Sequence, residues 1–199
     1  MCGIAGIGVA PDRVLPKLRD ALNAMGRVMV HRGPDDDGLY TSPQWRAGLV
    51  TRRLAIRDLS PAGHMPMSSA DATIWITYNG EIYNTGELRH ELGAAGCAFR
   101  STSDTEVILH GYAVWGDRVV DRLRGMFAFC ICDLRQDAAS PRLFLARDRL
   151  GIKPLYYTTF RDGFMFASEL VALRASGLVT SRMSSIAMVA YLMTGSVPN

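Results

Sequence analysis

Met1-Cys2-Gly3-Ile4-Ala5-Gly6-Ile7-Gly8-Val9 opens the chain, and the interpretation of the remaining sequence starts from it. Once the initiator methionine is removed, Cys2 carries a thiol and a free α-amine on the same carbon atom. Such an amine ordinarily has a pKa of about 8 and such a thiol about 8.5, so the amine can take the thiol proton near neutral pH. The resulting thiolate is a nucleophile. Residues 4–9 are apolar or small and predict a buried strand that holds this nucleophile rigidly. Taken alone the signal is weak, because a cysteine at position 2 also occurs by chance.

Length and composition indicate an ordinary globular protein. The chain has 199 residues, of which 48% are hydrophobic and 21% charged, enough for one well-buried domain or one domain with an extension. The net charge is +3 without any Lys/Arg-rich run, so nothing indicates a nucleic-acid partner. No apolar run is long enough to span a membrane, and the N-terminus lacks the features of a secretory signal. We therefore expect a cytoplasmic protein.

The four cysteines, Cys2, Cys97, Cys130 and Cys132, do not have the spacing of a disulfide framework. Cys130 and Cys132 lie two residues apart in a strand-like run, so they point to the same face. A metal or redox pair is conceivable there. Without a second pair or a nearby histidine, however, two buried apolar cysteines are the favoured interpretation, and no metal site is predicted.

Hydrophobic periodicity predicts an alternation of strands and helices along the chain. The predicted helices cover residues 14–30, a segment beginning near Asn84, residues 105–115, 169–175 and 185–193. The predicted strands cover residues 4–9, 49–59, 73–78, 126–132, 142–147, 154–159 and 163–168. Residues 31–38 and 60–67 are rich in Gly, Pro and polar side chains and are expected to be loops.

Arg53 and Arg57 lie within the predicted strand 49–59. If Leu54 and Ile56 face the core, alternation places both arginines on the opposite face. A solvent-facing arginine is the plain interpretation. A guanidinium group is also the side chain best shaped to hold a substrate carboxylate in a bidentate grip.

Asn79-Gly80-Glu81 follows the predicted strand 73–78 directly. Asn-Gly is a strong turn signal, because both residues tolerate positive φ. A plain hairpin turn is one interpretation, but the next segment reads as helix. A turn that presents an Asn amide beside an unhindered Gly N–H could instead form an oxyanion hole.

Asp104 lies in the first turn of the predicted helix 105–115, where Ser103 and Glu106 have the spacing of a capping box. The helix dipole favours a negative charge at this position, which is a sufficient structural reason for an aspartate. Asp104 could also pair with the ammonium group of a substrate. The sequence does not separate the two.

Taken together, the chain closely resembles the glutaminase domain of glutamine-dependent asparagine synthetases, within the class II glutamine amidotransferases. The resemblance covers essentially the whole chain and is carried by six motifs in the family's order. These are residues 1–6 (MCGIAG), 31–35 (HRGPD), 53–60 (RLAIRDLS), 79–84 (NGEIYN), 103–106 (SDTE) and 146–157 (ARDRLGIKPLYY).

The resemblance implies the N-terminal-nucleophile fold, an α/β/β/α sandwich of two antiparallel sheets flanked by helices, in the α+β class. Periodicity alone leaves several α+β layouts open. The implied reaction is hydrolysis of L-glutamine to glutamate and ammonia through a thioester on Cys2, whose α-amine shuttles the proton. By the same match, the Asn79 side chain and the Gly80 backbone N–H stabilise the oxyanion.

The motif match also implies how the rest of the glutamine is bound. Arg53 would hold its α-carboxylate, while Asp104 and Glu81 would hold its α-ammonium. Backbone groups around Ile56 and Arg57 would line the same pocket.

Two departures from the family pattern are visible. Met65 stands before Pro66 where the family usually has Gln, and Arg57 stands where an apolar residue is common. Neither is a catalytic position, but Arg57 could alter the mouth of the pocket.

The expected organisation is a glutaminase domain over residues 1–183 and, over residues 184–199, the start of a linker or helix leading to an absent synthetase domain. The expected partners are L-glutamine and that domain of the same polypeptide; a homodimer is left open. No cofactor is expected in this chain, whereas ATP and Mg²⁺ are expected in the synthetase domain.

Two alternatives remain for the function. The same glutaminase could feed another acceptor, as in natural-product or polysaccharide amidation, or the domain could be a catalytically silent regulatory module. Against the silent module, Cys2, Arg53, Asn79, Gly80 and Asp104 are all present.

Overall fold

Two antiparallel sheets lie face to face in the computed structural model, which describes residues 1–180 and 184–196. The strands are β1 (Gly3–Val9), β2 (Asp36–Thr41), β3 (Ala47–Arg53), β4 (Met67–Ser68), β5 (Ile74–Ile82), β6 (Gly125–Asp133), β7 (Arg142–Arg147), β8 (Tyr156–Phe160) and β9 (Gly163–Ala167). The helices are α1 (Leu18–Arg27), α2 (Thr85–Ala94), α3 (Asp104–Trp115), α4 (Val119–Arg122), α5 (Leu170–Ala175) and α6 (Ser185–Thr194). Three short 3₁₀ turns cover Val30–Arg32, Pro61–Gly63 and Gly116–Arg118.

The first sheet has the strand order β2-β3-β1-β9-β8, and the second has the order β4-β5-β6-β7. The strand that follows Cys2 therefore lies in the middle of the first sheet, between β3 and β9. Both neighbours hold it in register, since Ala5 pairs with Val50 on one side and with Ala167 on the other. The start of this strand is consequently fixed on both sides.

Three apolar layers separate the sheets and helices. The layer between the two sheets contains Ile4 from the first sheet and Ala128, Cys130 and Cys132 from the second. The layer outside the first sheet packs against α1 and α5, and the layer outside the second packs against α2 and α3. This order of layers is the expected α/β/β/α sandwich.

Strand β1 shows why the layers form. Its odd-numbered residues Ala5, Ile7 and Val9 pack toward α1, while Ile4 faces the other sheet. Gly8 also lies on the inner side, where a Cβ atom would collide with the side chain of Leu143 in β7 of the other sheet. The small residues of this strand thus let the two sheets approach each other.

Most of the predicted strands and helices are present. Cys130 and Cys132 of β6 are buried between the sheets and form no disulfide. Helix α1 is shorter than predicted and begins at Leu18. The predicted loop 31–38 is partly wrong, because Asp36 already begins β2 and pairs with Arg53 of β3. Residue 183, where we place the end of the glutaminase domain, and residues 197–199 lie outside the described residues.

The predicted turn at Asn79-Gly80 is wrong. Strand β5 continues through both residues to Ile82, with Asn79 opposite Ala128 and Gly80 opposite Phe127 of β6. The pairing with a long central strand outweighs the local preference of Asn-Gly for a turn.

The predicted strand 49–59 is also wrong beyond Arg53, where β3 ends. Ile56 does not face the core, since it is 70% exposed, and Arg53 is buried instead of lying on an open face. The Ser103–Glu106 capping box is incomplete. Ser103 does accept a hydrogen bond from the N–H of Thr105, but the Glu106 carboxylate binds the N–H groups of residues 100 and 101.

Asn84 occupies the N-cap position of α2 as predicted, yet its side chain does not cap the helix. The amide donates to the carbonyl of Arg122 and accepts from the N–H of Arg124, which ties α2 to the end of α4. No helix within residues 1–180 and 184–196 is long and apolar enough to cross a membrane.

Candidate active site

A cavity of about 120 Å³ lies where the start of β1 meets the second half of β5. It brings together every site residue that we predicted from the sequence, although they come from four separate segments of the chain. These residues are Cys2, Arg53, Ile56, Arg57, Asn79, Gly80, Glu81 and Asp104.

Cys2 is partly buried at the edge of this cavity. Its Sγ accepts a hydrogen bond from the backbone N–H of Leu54 at 3.4 Å and donates to the Leu54 carbonyl at 3.8 Å. Burial raises the pKa of the Cys2 thiol, although the Leu54 hydrogen bond, the N-terminal amine and Arg53 act in the opposite direction. The thiol is therefore protonated at neutral pH and needs a base before it can attack.

The backbone of Cys2 is also held in place. Arg32 donates from Nε to the Cys2 carbonyl at 3.1 Å and from one terminal nitrogen to the carboxylate of Glu169 at 2.9 Å. His31 contacts the same Glu169 oxygen at 2.9 Å. Three sets of contacts therefore position Cys2. Arg32 binds its carbonyl, Leu54 binds its sulfur, and the strand that follows it pairs with a neighbour on each side.

The amide of Asn79 lacks a partner. Asn79 is 1% exposed, and its Nδ2 is one of three buried side-chain nitrogen or oxygen atoms in the described residues without any hydrogen bond. An unsatisfied buried donor costs about 1–3 kcal/mol. On β5 it lies on the same face as Thr77, whose hydroxyl contacts Thr51 of the opposite sheet at 2.6 Å. The amide therefore faces the space between the sheets, where the cavity is.

The N–H of Gly80 lies on the open edge of β5. Both backbone groups of its cross-strand partner Phe127 bind Asp148 instead. The Phe127 carbonyl accepts from the Asp148 N–H at 2.8 Å, and the Phe127 N–H donates to the Asp148 carboxylate at 3.2 Å. Gly80 and Phe127 thus form a pair without mutual hydrogen bonds, and the backbone groups of Gly80 point away from β6. Ile82 points in the same direction and donates its N–H to Asp104 at 3.0 Å.

Arg53 supplies a buried positive charge. Its side chain is 9% exposed, and one terminal nitrogen donates to the carbonyl of Asp58. The other terminal nitrogen is 3.9 Å from Asp36. Gly63 leaves room for the guanidinium group, because a Cβ atom there would overlap it.

Asp104 supplies a buried negative charge from the first turn of α3. Its Oδ2 accepts hydrogen bonds from the hydroxyl of Tyr78 at 2.7 Å and from the N–H of Ile82 at 3.0 Å. Within the described residues, Oδ1 accepts none. Burial, together with the charge of Asp104, raises the pKa of Tyr78 well above its usual value, so its hydroxyl stays a donor.

Glu81 and Arg57 form an ion pair at the mouth of the cavity. Arg57 Nε is 2.6 Å from Oε1 of Glu81, and another guanidinium nitrogen donates to the hydroxyl of Thr85 at 3.0 Å. The exposed Ile56 lies beside this pair. Glu81, unlike Asp104, therefore already has a cationic partner.

The structure adds residues that the sequence did not single out as part of the site. Tyr78 orients Asp104, Leu54 contacts the sulfur, and Arg32 holds the Cys2 carbonyl. Lys153 is 6% exposed, lines the cavity and donates its backbone N–H to the carboxylate of Asp148 at 3.0 Å. Arg32 and Lys153 lie inside motifs that carried the resemblance, but their side-chain contacts depend on the fold.

The arrangement has the chemistry of an amide-hydrolysing site for a small zwitterion. A cysteine shares the cavity with the Asn79 amide and the Gly80 backbone, and a cation and an anion are available for the charged end of a ligand. Within residues 1–180 and 184–196, no group of three or more His, Cys, Asp or Glu side chains has the arrangement of a metal site.

Comparison with known proteins identifies the family of this chain. Proteins named asparagine synthetase (glutamine-hydrolysing) are similar over most of the chain. One from Bacillus subtilis (strain 168) is 44% identical over 85% of this chain and 26% of its own length. A second from the same organism is 40% identical over 92% of this chain and 29% of its own length. A putative one from Methanocaldococcus jannaschii is 36% identical over the whole chain and 40% of its own length. The chain thus spans between about a quarter and two fifths of these relatives.

The fold has a relative of known structure. Glutamine phosphoribosylpyrophosphate amidotransferase from B. subtilis aligns with a TM-score of 0.67 at 21% identity, covering 91% of this chain and 45% of the other. At this identity the likeness supports the N-terminal-nucleophile sandwich and nothing finer. Residues 1–199 match the family described as glutamine amidotransferase domain, so the chain belongs to the glutamine amidotransferase domain family.

Proposed function

We propose that this chain hydrolyses L-glutamine to glutamate and ammonia at the cavity around Cys2, and that the ammonia supplies an ATP-dependent synthetase domain of the asparagine synthetase type. The observation that carries the proposal is the buried amide of Asn79, which lacks a hydrogen-bond partner in the same cavity as the Cys2 thiol. A donor left unpaired at a cost of about 1–3 kcal/mol is expected where a ligand supplies the acceptor.

The proposed reaction begins when the α-amine of Cys2 takes the thiol proton. This requires removal of Met1, which precedes Cys2 and also lines the cavity. The thiolate attacks the side-chain amide carbon of glutamine, and the negative charge develops on the carbonyl oxygen. The Asn79 amide and the Gly80 N–H then donate hydrogen bonds to this oxygen.

Collapse of the tetrahedral intermediate breaks the carbon–nitrogen bond. The amine returns its proton to the leaving nitrogen, ammonia departs, and a γ-glutamyl thioester remains on Cys2. A water molecule then attacks the thioester with the amine again as the base. Glutamate leaves and the thiol is restored, so neither an oxidant nor a reductant is needed.

The charged end of glutamine would lie between Arg53 and Asp104. The guanidinium group of Arg53 binds the α-carboxylate, and the unpaired Oδ1 of Asp104 binds the α-ammonium. Glu81 contributes to the ammonium site once its pairing with Arg57 loosens. Two charged contacts select free glutamine over glutamine within a peptide, because a peptide lacks both charges.

The acceptor of the ammonia is proposed from the relatives, whose printed names are those of glutamine-hydrolysing asparagine synthetases. In this proposal ATP and Mg²⁺ bind the synthetase domain, and residues 184–199 lead toward it. The cytoplasm is the proposed location, since the free cysteines of the described chain persist under reducing conditions. A homodimer stays a prediction for size-exclusion chromatography.

The test is release of glutamate from L-glutamine by the full-length protein, with and without a Cys2→Ala substitution. Glutamate release that requires Cys2 supports the proposal. A wild-type protein that binds glutamine and releases no glutamate, with or without the acceptor substrates, would favour the silent module. Cys97→Ala is the matched control, because Cys97 is a partly buried free cysteine outside the cavity.

A further inference from the structure

Two ion pairs join β2 and β3 at successive positions, one on each face of the sheet. Asp36 lies directly opposite Arg53, and Asp37 lies directly opposite Arg52. Since side chains alternate along a strand, the two pairs share their backbone but face different surroundings. Of these four residues, only Arg53 lines the cavity with Cys2.

The Asp37–Arg52 pair resembles an ordinary surface pair. The closest nitrogen–oxygen distance is 3.2 Å, and the Asp37 side chain is 66% exposed. Arg52 also donates from Nε to the carbonyl of Gly26 at 3.0 Å. These contacts connect β3 with α1 and involve no residue of the cavity.

The Asp36–Arg53 pair differs from it in two ways: its nitrogen–oxygen distance is longer, and Asp36 also contacts His64. Arg53 is 3.9 Å from Oδ2 of Asp36, and the same oxygen is 2.9 Å from Nδ1 of His64. The Arg53 side chain is nearly buried, whereas the side chains of Asp36 and His64 are 31% and 50% exposed. Asp36 therefore attracts Arg53 without closely neutralising its charge, which leaves that charge available to another carboxylate.

Arg53 also lines a second cavity, of about 640 Å³, together with Asp36, Ser60 and His64. Arg53 therefore lines both this cavity and the one that contains Cys2. The carbonyl of Asp58 holds one terminal nitrogen, and Asp36 faces the other.

We propose that Asp36 is a positioning residue, which aligns Arg53 with the α-carboxylate of the substrate. The inference rests on the proposed function, because it takes Arg53 as the carboxylate-binding group. Neither Asp36 nor His64 touches the substrate in this arrangement.

The test compares Asp36→Asn with Asp37→Asn in the full-length protein. The glutaminase kcat and KM are measured, together with the inhibition constant of 4-aminobutanamide, which has the amide and ammonium groups of glutamine but no carboxylate. For Asp36→Asn we expect KM for glutamine to rise about tenfold while kcat stays within about twofold. The inhibition constant of the analogue should be unchanged. Asp37→Asn should leave all three values unchanged.

An unchanged KM in Asp36→Asn would overturn the inference, and so would an equal rise in the inhibition constant of the analogue, since that would indicate a distorted cavity. Asp36→Ser, which also removes the carboxylate, must give the same rise in KM if Asp36→Asn does not fold. A wild-type protein without glutaminase activity refutes the proposed function itself. An active wild type with an insensitive Asp36→Asn variant refutes only the role of Asp36.

Discussion

The guanidinium group of Arg57 lies 2.6 Å from the carboxylate of Glu81, and the pair joins the segment after β3 to the end of β5 across the mouth of the cavity. Both side chains are about one third exposed, at 37% and 30%. Pairs at this exposure contribute at most about 1 kcal/mol, so a substrate ammonium can compete with Arg57 for Glu81.

Replacing Arg57 with Leu is expected to lower KM for glutamine by roughly two- to fivefold, because the carboxylate of Glu81 becomes free for the α-ammonium. Steady-state glutaminase kinetics provide the measurement. Arg118→Leu is the control, since Arg118 forms an exposed pair with Asp121 away from the cavity. A higher KM in Arg57→Leu would mean that the pair supports the cavity wall instead of competing with the substrate.

Asn79→Ala should lower kcat about 100- to 1,000-fold, the usual cost of removing one oxyanion donor. KM should change little, because the hydrogen bond strengthens as charge develops in the transition state. Asn84→Ala offers a comparison, since its amide bonds only the backbone of residues 122 and 124 outside the cavity. That variant should lose stability and keep its kcat. A normal kcat for Asn79→Ala would remove this residue from the oxyanion site.

Arg53→Ala is expected mainly to raise KM for glutamine, since a group far from the scissile amide contributes to ground-state and transition-state binding alike. A buried, charged hydrogen bond is worth about 1.5–3 kcal/mol, which corresponds to a rise of roughly 10- to 100-fold. Initial rates over a range of glutamine concentrations give KM and kcat for the variant and the wild type. The role assigned to Arg53 fails if kcat falls while KM stays the same.

The Cys2 thiol should be unreactive at neutral pH when a residue precedes it. Burial raises the pKa of this thiol above its ordinary value, so in that form little thiolate exists at pH 7.5. Alkylation by iodoacetamide should then be slow and should accelerate as the pH rises beyond the ordinary thiol pKa. In the form that begins at Cys2, the free amine accepts the proton, and alkylation at pH 7.5 should be faster. Peptide mapping of Cys2 measures both rates, and equal rates would argue against the amine as the base.

Asp58 is expected to stabilise the loop that holds Arg53. Hydrogen bonds from the Ser60 hydroxyl, the Thr102 N–H and the Ser60 N–H lower the pKa of Asp58 from 3.8 to about 2. A carboxyl group with a lowered folded-state pKa stabilises the fold above its unfolded pKa, and this contribution is lost as the pH falls through the folded value. Asp58→Asn should therefore reduce the free energy of unfolding by roughly 1–2 kcal/mol at pH 7.

Urea unfolding of the wild type and Asp58→Asn at pH 7 and at several values below pH 4 checks this. The difference between the two proteins should shrink as the pH falls toward 2. A difference that stays constant over this range would mean that the charge of Asp58 does not contribute. Asp121→Asn serves as the control and should change the stability little, because the Asp121 side chain is 65% exposed and its carboxylate lies 3.9 Å from Arg118.

Periodicity in the amino-acid sequence by itself predicted most of the strands and helices, because alternation along a strand and apolar spacing along a helix are properties of neighbouring residues. The roles of the candidate site residues were predicted from the motif resemblance. The six motifs also identified the family, and the α/β/β/α order followed from that resemblance. Periodicity alone did not choose among α+β layouts, because it does not say which strands pair.

Only the tertiary structure decided how the candidate residues present their groups. Asn79-Gly80 has a local preference for a turn, but nine residues of β5 pair with β6, and this long-range pairing keeps both residues extended. The Gly80 N–H consequently lies on an open strand edge and not in a turn. Likewise, Arg53 is buried because the chain leaves β3 immediately after it and folds back through Asp58 and Gly63. Contacts between residues distant in sequence determine burial and hydrogen bonding, and such contacts leave no periodic trace in the sequence.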